Sequence, residues 1–278
     1  MRFLEFLKAI LFGIVEGITE WLPVSSTGHI ILLDEFIHFD VSEAFMELFE
    51  VVIQLGAIFA VLVIYFHRLN PFSPKKTDDE KKSTWQLWFA VVVGVIPSAV
   101  IGLLFDDWFD AHFYNWQTVS VMLIVYGIAF ILIERLHRGK TYKITSADGI
   151  TLKTALCIGA FQVLAIIPGT SRSGSTILGA MLLGVSRTAA AEFSFFMAIP
   201  TMLGASGLKA VKLVLDGGAS AVTSEEWLLL LTASVVAFVV SLAAIKFLVG
   251  FVRRHSFSSF GIYRILLGIA VILWFLLR

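Results

Sequence analysis

Apolar residues in this chain come in long runs, with little of the alternation that marks a half-buried surface element. A helix that crosses a bilayer needs about 20 predominantly apolar residues. Six runs reach that length: about 44–66, 84–105, 116–136, 188–214, 226–250 and 258–277. Two further stretches, 3–38 and 150–185, are apolar but interrupted. The first breaks at Pro23-Val24-Ser25-Ser26-Thr27-Gly28-His29, the second at Pro168-Gly169-Thr170-Ser171-Arg172-Ser173-Gly174-Ser175. Backbone that leaves the helix inside lipid has to be buried in protein or line a wet cavity, because its polar groups find no partners in hydrocarbon. Each interrupted stretch is therefore expected to be a re-entrant hairpin of two short helices.

The two stretches match at an offset of 146 residues: Gly13 falls on Gly159, Glu16 on Gln162, Gly28 on Gly174 and Ile31-Leu32 on Ile177-Leu178. The prolines are 145 apart, one position out of register. Chance matches between apolar segments are common, but a shared Ser/Thr-rich break at the same place is a stronger sign of duplication. The expected fold is an all-α integral membrane protein, one polytopic domain over 1–278. Repeat one covers about 1–136 and repeat two about 150–278, each a re-entrant hairpin plus three transmembrane helices. Three spans per half reverse the second half in the membrane, which gives inverted-topology repeats.

Composition and charge sharpen this picture. Apolar residues make up 58% of the chain and charged ones 15%, and mean hydropathy is +0.89; a soluble domain has about 45–50% and 25%. The formal net charge is zero, so nothing points to a nucleic-acid partner. Cys157 stands alone, which excludes an internal disulfide, and reads as a small core residue. Glu16, Glu20 and Pro23 follow the first apolar run where a cleavage site would be, so no cleaved leader is expected. The basic residues concentrate in 67–83 (Arg68, Lys75, Lys76, Lys81, Lys82), in 135–153 (Arg135, Arg138, Lys140, Lys143, Lys153) and at Arg253-Arg254. By the positive-inside rule these segments are cytoplasmic. The intervening 38–43 carries Asp40 and Glu43, and 106–115 carries Asp106, Asp107 and Asp110, neither with any Lys or Arg. Both termini are then outside, the first hairpin enters from outside, and the second enters from inside. Lys209 and Lys212, near an outer helix end, run against the rule.

The polar residues at membrane depth carry the candidate chemistry. Gly13, Glu16, Gly17 and Glu20 share one helix face, with the two carboxylates one turn apart. Like charges so placed repel unless a cation or shared proton relieves them. They are candidate oxygen ligands for a divalent ion, Mg²⁺ or Ca²⁺. The first tip adds Ser25, Ser26, Thr27 and His29, in which a hydroxyl three residues before an imidazole forms a candidate nucleophile and base. His29 could equally attack or protonate a leaving group. The second tip adds Arg172, whose planar fork matches phosphate oxygens, with Ser171, Ser173 and Thr176 beside it and free backbone N–H groups at a helix start. Gln162 and Ile166 occupy the positions of Glu16 and Glu20, so the acidic pair is not duplicated. Glu50, Gln54 and Glu192 are further polar residues within spans, as suited to structural hydrogen bonds as to a site.

Glu16-Gly-Ile-Thr-Glu20, Pro23-Val-Ser-Ser-Thr-Gly-His29 and Pro168-Gly-Thr-Ser-Arg-Ser-Gly174 together resemble undecaprenyl-diphosphate phosphatases of the bacitracin-resistance type. Phe49-Glu-Val-Val-Ile-Gln-Leu-Gly56 and Ala191-Glu-Phe-Ser-Phe195 resemble the same family, and the likeness runs essentially the whole chain. The resemblance implies hydrolysis of undecaprenyl diphosphate to the monophosphate and inorganic phosphate, which recycles the carrier lipid for cell-wall synthesis. It implies dependence on a divalent cation, an active site facing the periplasmic side of the bacterial inner membrane, and homodimers. It assigns catalytic roles to Glu16, Glu20, Ser26, His29 and Arg172, and substrate contacts to Ser25, Thr27, Ser171, Ser173 and Thr176. Whether Ser26 or His29 attacks stays open. The rival reading is a carrier or flippase for a polyprenyl phosphate or other anion, which would need the arginine but has little use for paired Glu, Ser and His.

Overall fold

The structure, a computed structural model, describes residues 3–139, 141–215 and 222–277. Lys140 and the side chains of Glu43, Asp106, Asp107 and Asp110, counted above as loop charges, lie outside the described residues. The first part of the chain forms α1 (Phe3–Thr19), α2 (Ser26–Ile37), α3 (Glu43–Ile64), the single turn α4 (Phe66–Leu69), α5 (Asp78–Phe113) and α6 (Trp116–His137). The second forms α7 (Leu152–Val163), α8 (Arg172–Leu182), α9 (Arg187–Leu215), α10 (Ser224–Arg254) and α11 (Ser258–Leu277). Among the described residues extended pairing is limited to one isolated bridge, Ile144 with Val185.

Six of these helices, α3, α5, α6, α9, α10 and α11, are long and apolar enough to cross a bilayer. They coincide with the six runs read from the sequence. The protein is an all-helical, multi-pass membrane protein. One boundary is corrected. The segment 106–115 is not a loop: α5 continues to Phe113, and Asn115 immediately caps α6 by accepting from Thr118 N at 2.8 Å. Apolar composition ends where lipid ends, whereas backbone hydrogen bonding needs no apolar side chains to continue.

Lipid tails are as apolar as leucine, so close packing and hydrogen bonds hold such a bundle together, and small residues mark the contacts. α1 lies against α10, where a Cβ on Gly13 would stand 2.5 Å from Ala233 O and one on Gly17 2.7 Å from Ala237 O. α7 lies against α5 in the same manner, with a Cβ on Gly159 only 2.0 Å from Gly94 O. Large side chains such as Leu104, Leu136 and Leu276 cover the outside of the bundle, each at least 60% exposed, as a lipid-facing surface requires.

Polar ties fix the helix ends. Glu226 Oε2 closes a capping box with Thr223, while its Oε1 accepts from Ser42 N and Oγ at 2.8 Å, joining the starts of α3 and α10. At the basic end, Arg68 bridges Glu192 (2.6 Å) and Asp148 (2.9 Å), and Arg187 holds Glu134 through its Nε and Nη2. Glu192 thus serves as a structural partner of Arg68, away from the chemistry.

Candidate active site

Both hairpin breaks adopt the same unusual turn. Ser25 has φ 75° and Ser171 φ 77°, conformations that L-residues with a side chain rarely take. Strain of this kind costs about 1–3 kcal/mol per residue and persists only where the surroundings impose it. Here each serine caps the helix that follows: Ser25 Oγ accepts from Gly28 N (3.3 Å) and Ser171 Oγ from Gly174 N (3.1 Å). The caps start α2 and α8 at the tips and direct the next residues, Ser26 and Arg172, toward each other.

Glu20 joins the two tips. Its Oε2 accepts from Ser26 Oγ at 2.5 Å and its Oε1 from Arg172 Nη2 at 2.7 Å. Arg172 Nη1 also donates to Ser194 O (2.7 Å), and its guanidinium lies 5.9 Å from the Trp21 ring. Glu20 and Ser26 are buried, and all three residues line a cavity of about 660 Å³ between α3, α5, α9 and the two tips. Ser25, Thr27 and Ser171 line it too.

Other sequence candidates are placed differently. Ser173 does not reach the cavity wall; its hydroxyl donates to the first tip's backbone, at Glu20 O and Leu22 O, both 3.3 Å. Thr176 sits behind Arg172 and donates to Ser194 Oγ (2.7 Å). The Ser26–His29 pairing is also corrected. His29 Nδ1 bonds the Ser25 carbonyl at 2.7 Å, so it must be the donor there, and Nε2 pairs with Tyr263 Oη at 2.7 Å, accepting from it when the ring is neutral. The side chain in contact with Ser26 is the Glu20 carboxylate. The physical reason is position in the first turn of α2: Ser26 points back to α1, while the imidazole bonds its own helix four residues behind and stacks on the Tyr263 ring.

Glu16 is buried one turn behind Glu20, and its Oε1 has no hydrogen-bond partner. Glu20, Arg172 and Glu50 are charged groups whose fields act on it. Among the described residues no group of three or more His, Cys, Asp or Glu is gathered for a metal ion. Two carboxylates, one with an unsatisfied buried oxygen, nevertheless suit a hard divalent ion, since Mg²⁺ in particular is held by one or two carboxylates with phosphate and water completing its shell. Gln162, the counterpart of Glu16, donates to Ser98 Oγ (2.5 Å) and Thr201 Oγ1 (3.3 Å) on the far cavity wall. Gln54 lines the cavity, and Glu50 accepts from Tyr114 Oη.

Sequence reasoning missed Arg264. It is fully buried in α11 and bonds both tips at once: Nη1 to Pro23 O (2.9 Å), Nη2 to Gly169 O (2.6 Å) and Thr170 O (2.9 Å). The signal was present, because an arginine inside an otherwise apolar span is rarely idle.

The profile of a family described as Bacitracin resistance protein BacA matches residues 9–270 of this chain. The chain belongs to that family. It is 60% identical over 272 residues to an undecaprenyl-diphosphatase of Enterococcus faecalis, covering 98% of each chain. A protein of the same description from Streptococcus mutans is 56% identical over 279 residues, covering 100% of this chain and 99% of its own. One from Streptococcus pyogenes is 57% identical over 274 residues, at 99% and 98% coverage. The resemblance carried by the tip motifs therefore extends through the spans that position them.

Proposed function

We propose that this protein is an undecaprenyl-diphosphate phosphatase that releases the terminal phosphate of its lipid substrate through Ser26. The observation that carries the mechanism is the chain of contacts Ser26–Glu20–Arg172 on one cavity wall, beside full-length similarity to undecaprenyl-diphosphatases. Glu20 takes the Ser26 proton as Oγ bonds the terminal phosphorus. The bond from that phosphorus to the bridging oxygen breaks, and undecaprenyl phosphate leaves with the electron pair and accepts the proton from Glu20. Water then attacks the phosphoserine, giving a proton to Glu20, which returns it to Ser26 Oγ. Arg172 Nε–H is buried without a partner and is the donor left for a phosphoryl oxygen in which charge builds up. His29, held by Ser25 and Tyr263, positions the first turn of α2.

Glu16 and Glu20 are the proposed holders of a divalent cation, Mg²⁺ or Ca²⁺, which would offset the charge of the diphosphate. Purified protein should release phosphate from the lipid diphosphate and lose turnover in EDTA. Rapid acid quench should trap phosphate on Ser26, and configuration at phosphorus should be retained through two in-line displacements. Inversion with no trapped species would point to direct attack by water and defeat the serine route.

The same reading includes inverted repeats and an outward-facing site. Matching turns at Ser25 and Ser171, 146 residues apart, support the repeats, as does the reciprocal packing of α1 on α10 and α7 on α5. The cavity is lined by Val51 and Gln54, by 95–103 and by 200–212, the parts of α3, α5 and α9 away from the basic loops, which favours access from the periplasmic side. The substrate then slides in from the outer leaflet with its chain left in the bilayer, and homodimers are expected. In a Cys157→Ala background, Ala111→Cys should react with an impermeant thiol reagent in spheroplasts and Lys82→Cys only after lysis. The opposite pattern would put the chemistry on the cytoplasmic side.

A further inference from the structure

Two of the helices that wall the cavity carry a proline in mid-span, Pro97 in α5 and Pro200 in α9. Proline has no N–H to donate and its ring crowds the preceding turn, so Val93 O and Phe196 O lose their usual intrahelical donors. Long helices bend at such positions. On the near side of the prolines the walls are closely packed. A Cβ on Gly94 would stand 3.1 Å from Met197 Cε of α9 and 3.2 Å from Ala155 O of α7. Beyond the prolines, a Cβ on Gly102, Gly204 or Gly207 would meet nothing within 4 Å. α5 and α9 therefore fork at the prolines, and the cavity lies between the prongs. Leu103 and Val211 line it and also belong to the outer surface, 69% and 55% exposed.

Gln162 of α7 stands in the fork. The residues that follow the prolines, Ser98 and Thr201, donate their hydroxyl protons to Val95 O (3.0 Å) and Met197 O (2.8 Å) of their own helices. The end of the Gln162 side chain that meets both hydroxyls must then be the amide nitrogen, at 2.5 Å and 3.3 Å. One amide thus clasps both walls at the point where each is weakest. Its other end is unsatisfied, because Oε1 is buried without a partner. A buried acceptor with no donor is costly, and water would relieve it if the walls parted. The same side chain that holds the fork together is therefore eased by its opening. The matching contact of α1 with α10 has no proline in either helix, so the hinges belong to the cavity side.

We propose that Gln162 is the latch of a lateral gate. Its release lets the prongs of α5 and α9 swing apart about Pro97 and Pro200, and a long isoprenoid chain enters between them from the bilayer. Gln162 is a positioning residue, acting through the walls of the cleft and not on the reacting phosphorus. The identity of the guest rests on the phosphatase reading, whereas the gate itself does not.

The test uses full-length protein in phosphatidylcholine nanodiscs, in a Cys157→Ala background. Spin labels go on Leu104→Cys and Val214→Cys, at exposed positions on the two prongs. Double electron–electron resonance should give one main separation, and Gln162→Leu should lengthen and broaden it. Adding Pro97→Ala/Pro200→Ala to Gln162→Leu should restore the original separation, because helices with a complete ladder no longer bend there. With Gln162 in place, the same proline pair should hold the gate shut. The ratio of kcat/KM for undecaprenyl diphosphate to that for farnesyl diphosphate should then fall about tenfold, since capture of the long chain scales with the fraction of open molecules. A separation unchanged by Gln162→Leu would overturn the gate, as would a proline variant that lost both substrates equally. Longer separation in Gln162→Leu, with no phosphate release from wild-type protein, would establish the gate and sink the phosphatase reading.

Discussion

Arg172→Ala should lower kcat/KM by about 10²–10³, the loss seen when a group that stabilises transition-state charge is removed. It should also destabilise the protein, and the two effects can be separated. Arg172 is the cation that pairs buried Glu20, and removing one partner of a buried pair costs about 3–5 kcal/mol because the other charge is left uncompensated. Arg172→Met combined with Glu20→Gln removes both charges, so thermal stability in detergent should largely return. Turnover should not, since neither the proton acceptor for Ser26 nor the phosphate donor remains. Arg172→Lys keeps the charge but lacks the fork that reaches Glu20 and Ser194 together, and should recover only part of the rate. A double variant that regained both stability and turnover would show that the ion pair serves folding alone.

What could be read from the sequence follows from how local each signal is. The six spans were legible because crossing a bilayer demands a continuous apolar run, and the hairpins because Pro and Ser/Thr/Gly cannot sit idle in one. The candidate groups at the tips were legible by type but not by pairing. Ser26 and His29 lie three residues apart and look like partners, yet the structure gives Ser26 to Glu20, just past the end of α1, and His29 to Tyr263, 234 residues away. Ser173 and Thr176 share the phosphate-like composition of the second tip, but their hydroxyls are turned to the first tip's backbone and to Ser194. Spacing reports which residues share a turn, and helix direction decides what each one faces. The extension of α5 to Phe113 escaped notice because a helix outside the lipid needs no apolar signature.

Arg264 is the clearest case of a role set by tertiary contacts, and its removal is the second large expected effect. The first tip and the second come from opposite halves of the chain and present unpaired carbonyls where each helix breaks. One guanidinium satisfies Pro23 O on one side and Gly169 O and Thr170 O on the other, with the Tyr126 ring 5.5 Å away. Hydrogen bonds from a charged donor contribute about 1.5–3 kcal/mol each, so Arg264→Met should lower thermal stability markedly. The functional consequence follows from geometry. Ser26 meets Glu20 at one edge of the first tip and Arg172 meets it from the second, and Arg264 sets the spacing between those tips. Loosening that spacing by even about 1 Å is enough to cost some hundredfold in rate, so kcat should fall at least tenfold at a temperature where the variant is still folded. Arg264→Lys offers a single ammonium in place of a planar fork and should restore stability more than rate. If Arg264→Met unfolded earlier yet kept wild-type kcat and KM while folded, the residue would brace the bundle without positioning the site.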